Sequence, residues 1–81
     1  MARLARATAL LSLERRGQAM EELDWILARR ELPDALVERG LLRAALGRLV
    51  AARVDLERLL ELVPDHPRAE EARSALAGMR R

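Results

Sequence analysis

The chemistry available to this chain starts with one imidazole. His66 is the only histidine among 81 residues, and it lies between Asp65 and Pro67. A histidine can act as a general base or a metal ligand. A metal site needs further His or Cys donors, and the chain has no Cys and no second His. His66 is therefore expected to serve a turn or a helix cap. Hydroxyl nucleophiles are limited to Thr8, Ser12 and Ser74, and each would need a base within hydrogen-bond reach. The carboxylate pairs Glu21-Glu22 and Glu70-Glu71 are adjacent in sequence. On a helix such neighbours point about 100° apart and cannot share a substrate, so they read as solvated faces. Glycines stand singly at 17, 40, 47 and 78, which makes no phosphate-cradling loop. The expectation is a protein that is not an enzyme and holds no cofactor or metal.

The elements that must position these residues are helices. Leu, Ala, Arg and Glu dominate, all good helix formers, and Trp25 is the sole aromatic. An all-α fold follows. Without cysteine, stability must come from packing, repetition or association, which fits a reducing cytoplasm. All fifteen basic residues are Arg, set against thirteen acids, for a formal charge of +2. The sequence pI of 10.9 reflects how little titrates between His and Arg, rather than a concentrated basic face of the kind duplex binders show. Arg3, Arg6, Arg15 and Arg16 make the N-terminal third locally basic. Nucleic-acid binding through them is the remote alternative to a solvated face. No apolar run reaches the roughly 18 residues of a membrane span, so no membrane partner is expected. The opening MARLARATALLSLERR reads as a helix rather than a cleaved leader, because Glu14 and two Arg follow its short apolar run.

Breaks at Gly17, Pro33-Asp34, Gly47 and Pro64-Asp65-His66-Pro67 predict five antiparallel helices over about 3–16, 18–31, 34–46, 49–62 and 67–80. Helix 2 carries Ala19, Met20, Leu23, Ile26, Leu27 and Arg30 at amphipathic spacing; helix 4 does so with Leu49, Ala52, Leu56, Leu59, Leu60 and Val63. Helix 5 has one apolar stripe and one charged face, as a covering helix would. Helix 3 is apolar nearly all round, which predicts that it sits between neighbours. Asp34 is a candidate N-cap, and Asp65 lies just ahead of Pro67. Leu23-Asp24-Trp25 recurs as Val54-Asp55-Leu56, and Pro33-Asp34 as Pro64-Asp65, both 31 residues apart. In that register Trp25 matches Leu56, a packing position; the alternative is an exposed anchor for a partner.

The block from Pro33 to His66 resembles a tetratricopeptide repeat (TPR), a 34-residue helix–turn–helix. Gly40, Gly47, Ala52, Leu56 and Pro64 stand where that pattern wants a small residue, Gly, Ala, a large apolar residue and Pro. Leu36 departs from it where Trp is common, and Arg39 where Leu is common. The resemblance implies a single domain over 1–81, with an irregular first repeat at 3–32, a second at 33–66 and a capping helix at 67–81. More narrowly, Glu38-Arg39-Gly40-Leu41-Leu42, Leu46-Gly47, Asp55-Leu56-Glu57, Leu60 and Pro64 resemble the C-terminal TPR region of bacterial transglutaminase-like proteins. That similarity spans about residues 18–80, and no catalytic residue comes with it.

The TPR register implies further roles. Arg39 and Asp55 fall near the seam of helices 3 and 4, where a charge needs a partner; the alternative is that Arg39 binds an acidic group on another protein. The first helix of each pair would line a concave face, giving Leu4, Leu11, Val37, Leu41, Ala44 and Ala45 as partner-binding candidates. Asp34, Ala7, Glu14 and Arg15 lie beside them in the same register. This face is apolar and lacks the Lys, Asn and Arg clamp for a C-terminal carboxylate. It would suit a partner helix, a neighbouring domain or a second copy of the chain. The expected function is a non-catalytic protein-protein interaction scaffold. The alternative is a structural accessory domain or a homodimer formed through the open face. Gly47 is expected to end helix 3. Gly40, in mid-helix, is expected where another helix passes too close for a side chain, so that Gly40→Ala would destabilise the fold against helix propensity.

Overall fold

A computed structural model describes residues 2–79. It is all-α, with five helices: α1 Ala2–Ser12, α2 Arg16–Leu27, α3 Pro33–Ala45, α4 Leu49–Leu62 and α5 Ala69–Gly78. The expected helix ends at Arg80 and Arg81 lie outside the described residues. α1 packs on α2, and α3 on α4. α3 also contacts α2 and α5, so it lies between its neighbours as its apolar circumference requires. The core accordingly divides in two. Ala35 and Leu42 of α3 join Ala7, Ala19, Met20, Leu23 and Ile26. Leu36 and Val37, on another side of α3, join Leu56, Leu59 and Ala72. Leu27 packs against both clusters.

The first break differs from expectation. Gly17 lies inside the first turn of α2, and the chain turns instead at Glu14, whose φ is +59°. The Arg15 N–H donates to the Leu10 carbonyl at 2.8 Å, and the Glu14 N–H to that of Leu11 at 3.0 Å. α3 ends with the same pair of bonds: Arg48 to Arg43 at 2.8 Å and Gly47 to Ala44 at 3.1 Å, with Gly47 at φ +79°. Both are Schellman turns, which need a left-handed residue. Gly47 fills that position as expected; Glu14 fills it at a steric cost. α2 ends at Leu27, four residues short of the expected 31. Leu32, ahead of Pro33, is held extended at φ −81°, ψ 117°, as a residue preceding proline tends to be. Asp34 is not the N-cap of α3. Leu32 is, with Pro33 at the first helical position and no side-chain cap. Asp65 is exposed and caps nothing.

Aligning the two Schellman turns sets the hairpins 33 residues apart rather than 31. Ala19, Leu23 and Ile26 then match Ala52, Leu56 and Leu59, and all six are completely buried. Ala7 matches Gly40, and Trp25 matches Arg58 instead of Leu56. Trp25 is accordingly 36% exposed rather than part of the core, which corrects its assignment as a packing residue.

At Gly40, α3 lies close against α4. A Cβ there would stand 2.6 Å from Leu56 Cδ2, 2.8 Å from Leu56 Cγ and 3.2 Å from Asp55 Cβ. Leu56 is fully buried among close-packed neighbours, so a side chain at position 40 would have to displace it, and the absence of one is what the packing favours.

Glu14 generates a prediction. A left-handed conformation costs an L-residue about 1–2 kcal/mol, part of which glycine returns through its freer unfolded state. Glu14→Gly should therefore raise stability by about 0.5–1 kcal/mol, read as a melting temperature a few degrees higher. An unchanged or lower value would contradict the assignment of the turn.

Candidate functional site

Two arrangements gather the polar residues. The first is a charge network across α2, α3 and α4. Arg39 donates through Nε to Asp55 Oδ2 and through Nη2 to Asp55 Oδ1, both at 2.9 Å. Arg43, one turn further along α3, donates from Nη1 to Asp55 Oδ2 at 3.0 Å. The third nitrogen of Arg39, Nη1, reaches Asp24 Oδ1 at 3.1 Å. Asp55 is 2% exposed, and a carboxylate so buried is costly unless paired in this way. Its hydrogen bonds raise the Arg39 guanidinium further above its ordinary pKa, and burial opposes them only in part.

The expected Arg39–Asp55 pair is thus present as a two-pronged fork. All three guanidinium nitrogens of Arg39 are engaged within the fold, which leaves it poorly placed to bind an acidic partner. Arg43 and Asp24 were not anticipated. The available signal was the i, i+4 spacing of Arg39 and Arg43, which puts both on one helix face. The first hairpin repeats the device in weaker form: Glu22, matching Asp55, pairs with Arg3 at 3.3 Å and Arg6 at 3.5 Å. Two arginines of the basic N-terminal third are occupied there. Arg3 and Arg29 also lie over the Trp25 ring, at 3.7 and 3.8 Å from its centroid. Trp25 is therefore neither a core residue nor a bare anchor, but an aromatic surface covered by guanidinium groups.

The second arrangement is a groove of about 320 Å³ between α1, α3 and the α4–α5 turn. Leu4 and Thr8 line it from α1, Asp34, Val37 and Glu38 from α3, and His66, Pro67 and Arg68 from the turn. Leu4, Val37 and Pro67 supply apolar surface. The polar groups are tied to one another. The Arg68 N–H donates to His66 Nδ1 at 3.0 Å. That places the ring proton on Nε2, which donates to Asp34 Oδ1 at 2.6 Å. Arg68 pairs with Glu38, and also with Glu71 at 2.9 Å. Its hydrogen bond to Glu71 holds that carboxyl below the ordinary range. Thr8 Oγ1 donates to the Leu4 carbonyl at 3.1 Å. Both nitrogens of His66 are used and Thr8 is turned to its own helix, so the groove presents no nucleophile activated by a base.

Of the partner-binding candidates, Leu4 and Val37 line this groove. Val37 is only 1% exposed, so it forms the floor. Leu11 packs into the α1–α2–α3 core and Leu41 into the α3–α4–α5 core. Ala44 is half-buried and Ala45 is exposed outside the groove. The groove is thus displaced toward the N-terminal half of α3. Sequence reasoning missed Glu38, Pro67 and Arg68 as lining residues, because the α4–α5 turn returns to α3 from 32 residues away. No protein-family model matches the chain, and no similarity to a curated protein or a solved structure was found.

The network separates two aspartates in one test. Asp55→Ala leaves two mostly buried arginines without the carboxylate they share and should cost about 3–5 kcal/mol in urea unfolding. Asp24, with its side chain 51% exposed, should cost less than about 1 kcal/mol when replaced by Ala. Equal losses would contradict the burial-based ranking.

Proposed function

We propose that the chain is a non-catalytic protein-protein interaction module of TPR type, acting in the cytoplasm, whose groove receives an apolar side chain from a partner segment. The observation that supports this most strongly is the groove itself. Leu4 and Pro67 leave apolar surface open above the buried Val37 floor, while every polar group named at the rim is already bonded within the protein. Such a surface favours an apolar or amphipathic ligand, because its rim offers little unsatisfied capacity to a small polar one. The TPR reading draws support from the spacing of small residues: Ala7 and Gly40 occupy equivalent positions in the two hairpins, as do Ala19 and Ala52. In each hairpin the first helix supplies the arginines and the second the buried or half-buried acid.

Thr8 provides the experiment, since it is exposed and lines the groove. Thr8→Arg should fold normally and lose captured partner protein by at least about tenfold, given what a charge in an apolar contact costs. Ser74→Arg, an equally exposed change on α5 outside the groove, should capture as the wild type does. Equal capture by both variants would overturn the assignment of the groove.

A further inference from the structure

The exposed apolar residues gather at one end of the molecule. Short turns reverse the chain between α1 and α2 and between α3 and α4. Arg58 of α4 bonds Glu31, just beyond α2, at 2.7 Å, so α2 and α4 run the same way with α3 packed between them. The α1–α2 and α3–α4 turns therefore share one end, and the groove opens at the other, where α3 starts and α4 gives way to α5. Of the seven exposed large apolar residues among the described ones, five lie on these two turns and the first half of α4: Leu13, Leu46, Leu49, Val50 and Val54. Leu13 is 63% exposed and Val50 76%. The 33-residue register matches Leu13 with Leu46 and Arg15 with Arg48. Each turn thus presents a leucine, a left-handed residue and an arginine in that order, all open to solvent.

The charges at this end suit an anionic surface. Arg15, Arg16, Arg48 and Arg53 are exposed there against Glu14 alone, a net charge of +3 on a chain whose whole formal charge is +2. None of the four forms an ion pair among the described residues, although Arg39, Arg43 and Arg58 do. Neither α2 nor α4 has an acidic residue in its first turn, so the partial positive charge of each helix start adds to theirs. The exposed acids of α4, Glu57 and Glu61, lie beyond its midpoint.

Arginines interrupt the apolar residues instead of surrounding them: Leu13, Arg15 and Arg16 follow one another in the first turn, and Leu46, Arg48, Leu49 and Val50 in the second. A protein partner is better served by a contiguous apolar or aromatic core with a polar rim. The headgroup layer of a bilayer accepts the mixture, because Leu and Val enter the acyl boundary while arginine side chains extend to the lipid phosphates. We propose that this end of the molecule is a peripheral contact for an anionic lipid surface, held by its exposed Leu and Val residues and its four arginines. No described helix is long and apolar enough to cross a membrane, and the contact requires none. With a charge of this size it is weak and reversible, and the groove at the opposite end stays free to hold a partner.

Flotation of the full chain with lipid vesicles at low salt tests this. The wild type should partition at least about tenfold more strongly onto phosphatidylcholine vesicles containing about one third phosphatidylserine than onto phosphatidylcholine alone, since each arginine near such a surface adds about fivefold. Arg15→Glu combined with Arg48→Glu, both at exposed sites, should lose that preference. Leu13→Ser combined with Val50→Ser alters the two most exposed large apolar residues and leaves the charge unchanged. This variant should keep its melting temperature and partition at least about tenfold more weakly onto the mixed vesicles. A wild type that does not distinguish the two kinds of vesicle overturns the proposal. So does a serine variant that binds the mixed vesicles as the wild type does, because attraction to charge alone would then account for the binding. Tighter binding of the wild type to polyglutamate or to duplex DNA than to the mixed vesicles would overturn it too, and would assign this end to an acidic protein or a nucleic acid.

Discussion

The close approach of α3 and α4 at Gly40 is the constraint on which the rest of the molecule depends. With no Cβ at position 40, Leu56 sits against the α3 backbone and Asp55 lies beneath Arg39 and Arg43. A wider separation would leave the aspartate buried without its fork and open space around Leu56. The two effects reinforce each other. Dispersion at the contact falls off steeply with distance, and a buried carboxylate is tolerated only at hydrogen-bond range. α3 is fixed on that side, and its opposite side supplies Ala35 and Leu42 to the other core cluster. The groove follows from the same placement, since α3 forms one wall and the α4–α5 turn closes one end.

Much of this was legible in the residues because the governing interactions are local or periodic. Gly47 announces its left-handed turn by its type. Gly40 stands out as an unnecessary cost in a helix of good formers, and a buried arginine at the seam demands an acid. Other features have no such signature. Glu14 adopts the conformation Gly47 adopts, yet nothing about a glutamate advertises it, so Gly17 drew the boundary toward itself. That error carried into the 31-residue register and placed Trp25 beside Leu56. The matched turns restore a 33-residue register, and Trp25 then falls with Arg58 on the exposed side.

The candidate site was harder to read for a related reason. Leu4 and Val37 could be placed on one face from helix periodicity alone. Glu38, Arg68 and His66 meet only because the chain returns to the start of α3 after a whole hairpin. A register that lists facing positions on successive helices does not record what a turn brings over them. Leu11 and Leu41 looked like groove residues because they share helices with Leu4 and Val37, but each rotates into a core cluster. Asp55, Glu22 and His66, polar side chains that could do chemistry, instead fasten these elements together, and apolar surface is left open in the groove between α1 and α3 and on the outer ridge of α4.

A double-mutant cycle between Gly40→Ala and Leu56→Ala measures the central contact most directly. In the wild-type background the added methyl group is driven into Leu56, and overpacking should outweigh the gain in helix propensity, for a net loss of about 1–2 kcal/mol. With Leu56 truncated, the atoms at 2.6 and 2.8 Å are gone and Asp55 Cβ at 3.2 Å is the close neighbour that remains; once that contact eases by a few tenths of an ångström, the same change should stabilise by about 0.5–1 kcal/mol, the gain of Gly→Ala in a helix. Urea unfolding in a stabilising osmolyte keeps the truncated variant within range. A coupling energy of about 1.5–3 kcal/mol is the predicted result. An effect of Gly40→Ala that is the same in both backgrounds would contradict the close approach on which the fold is built.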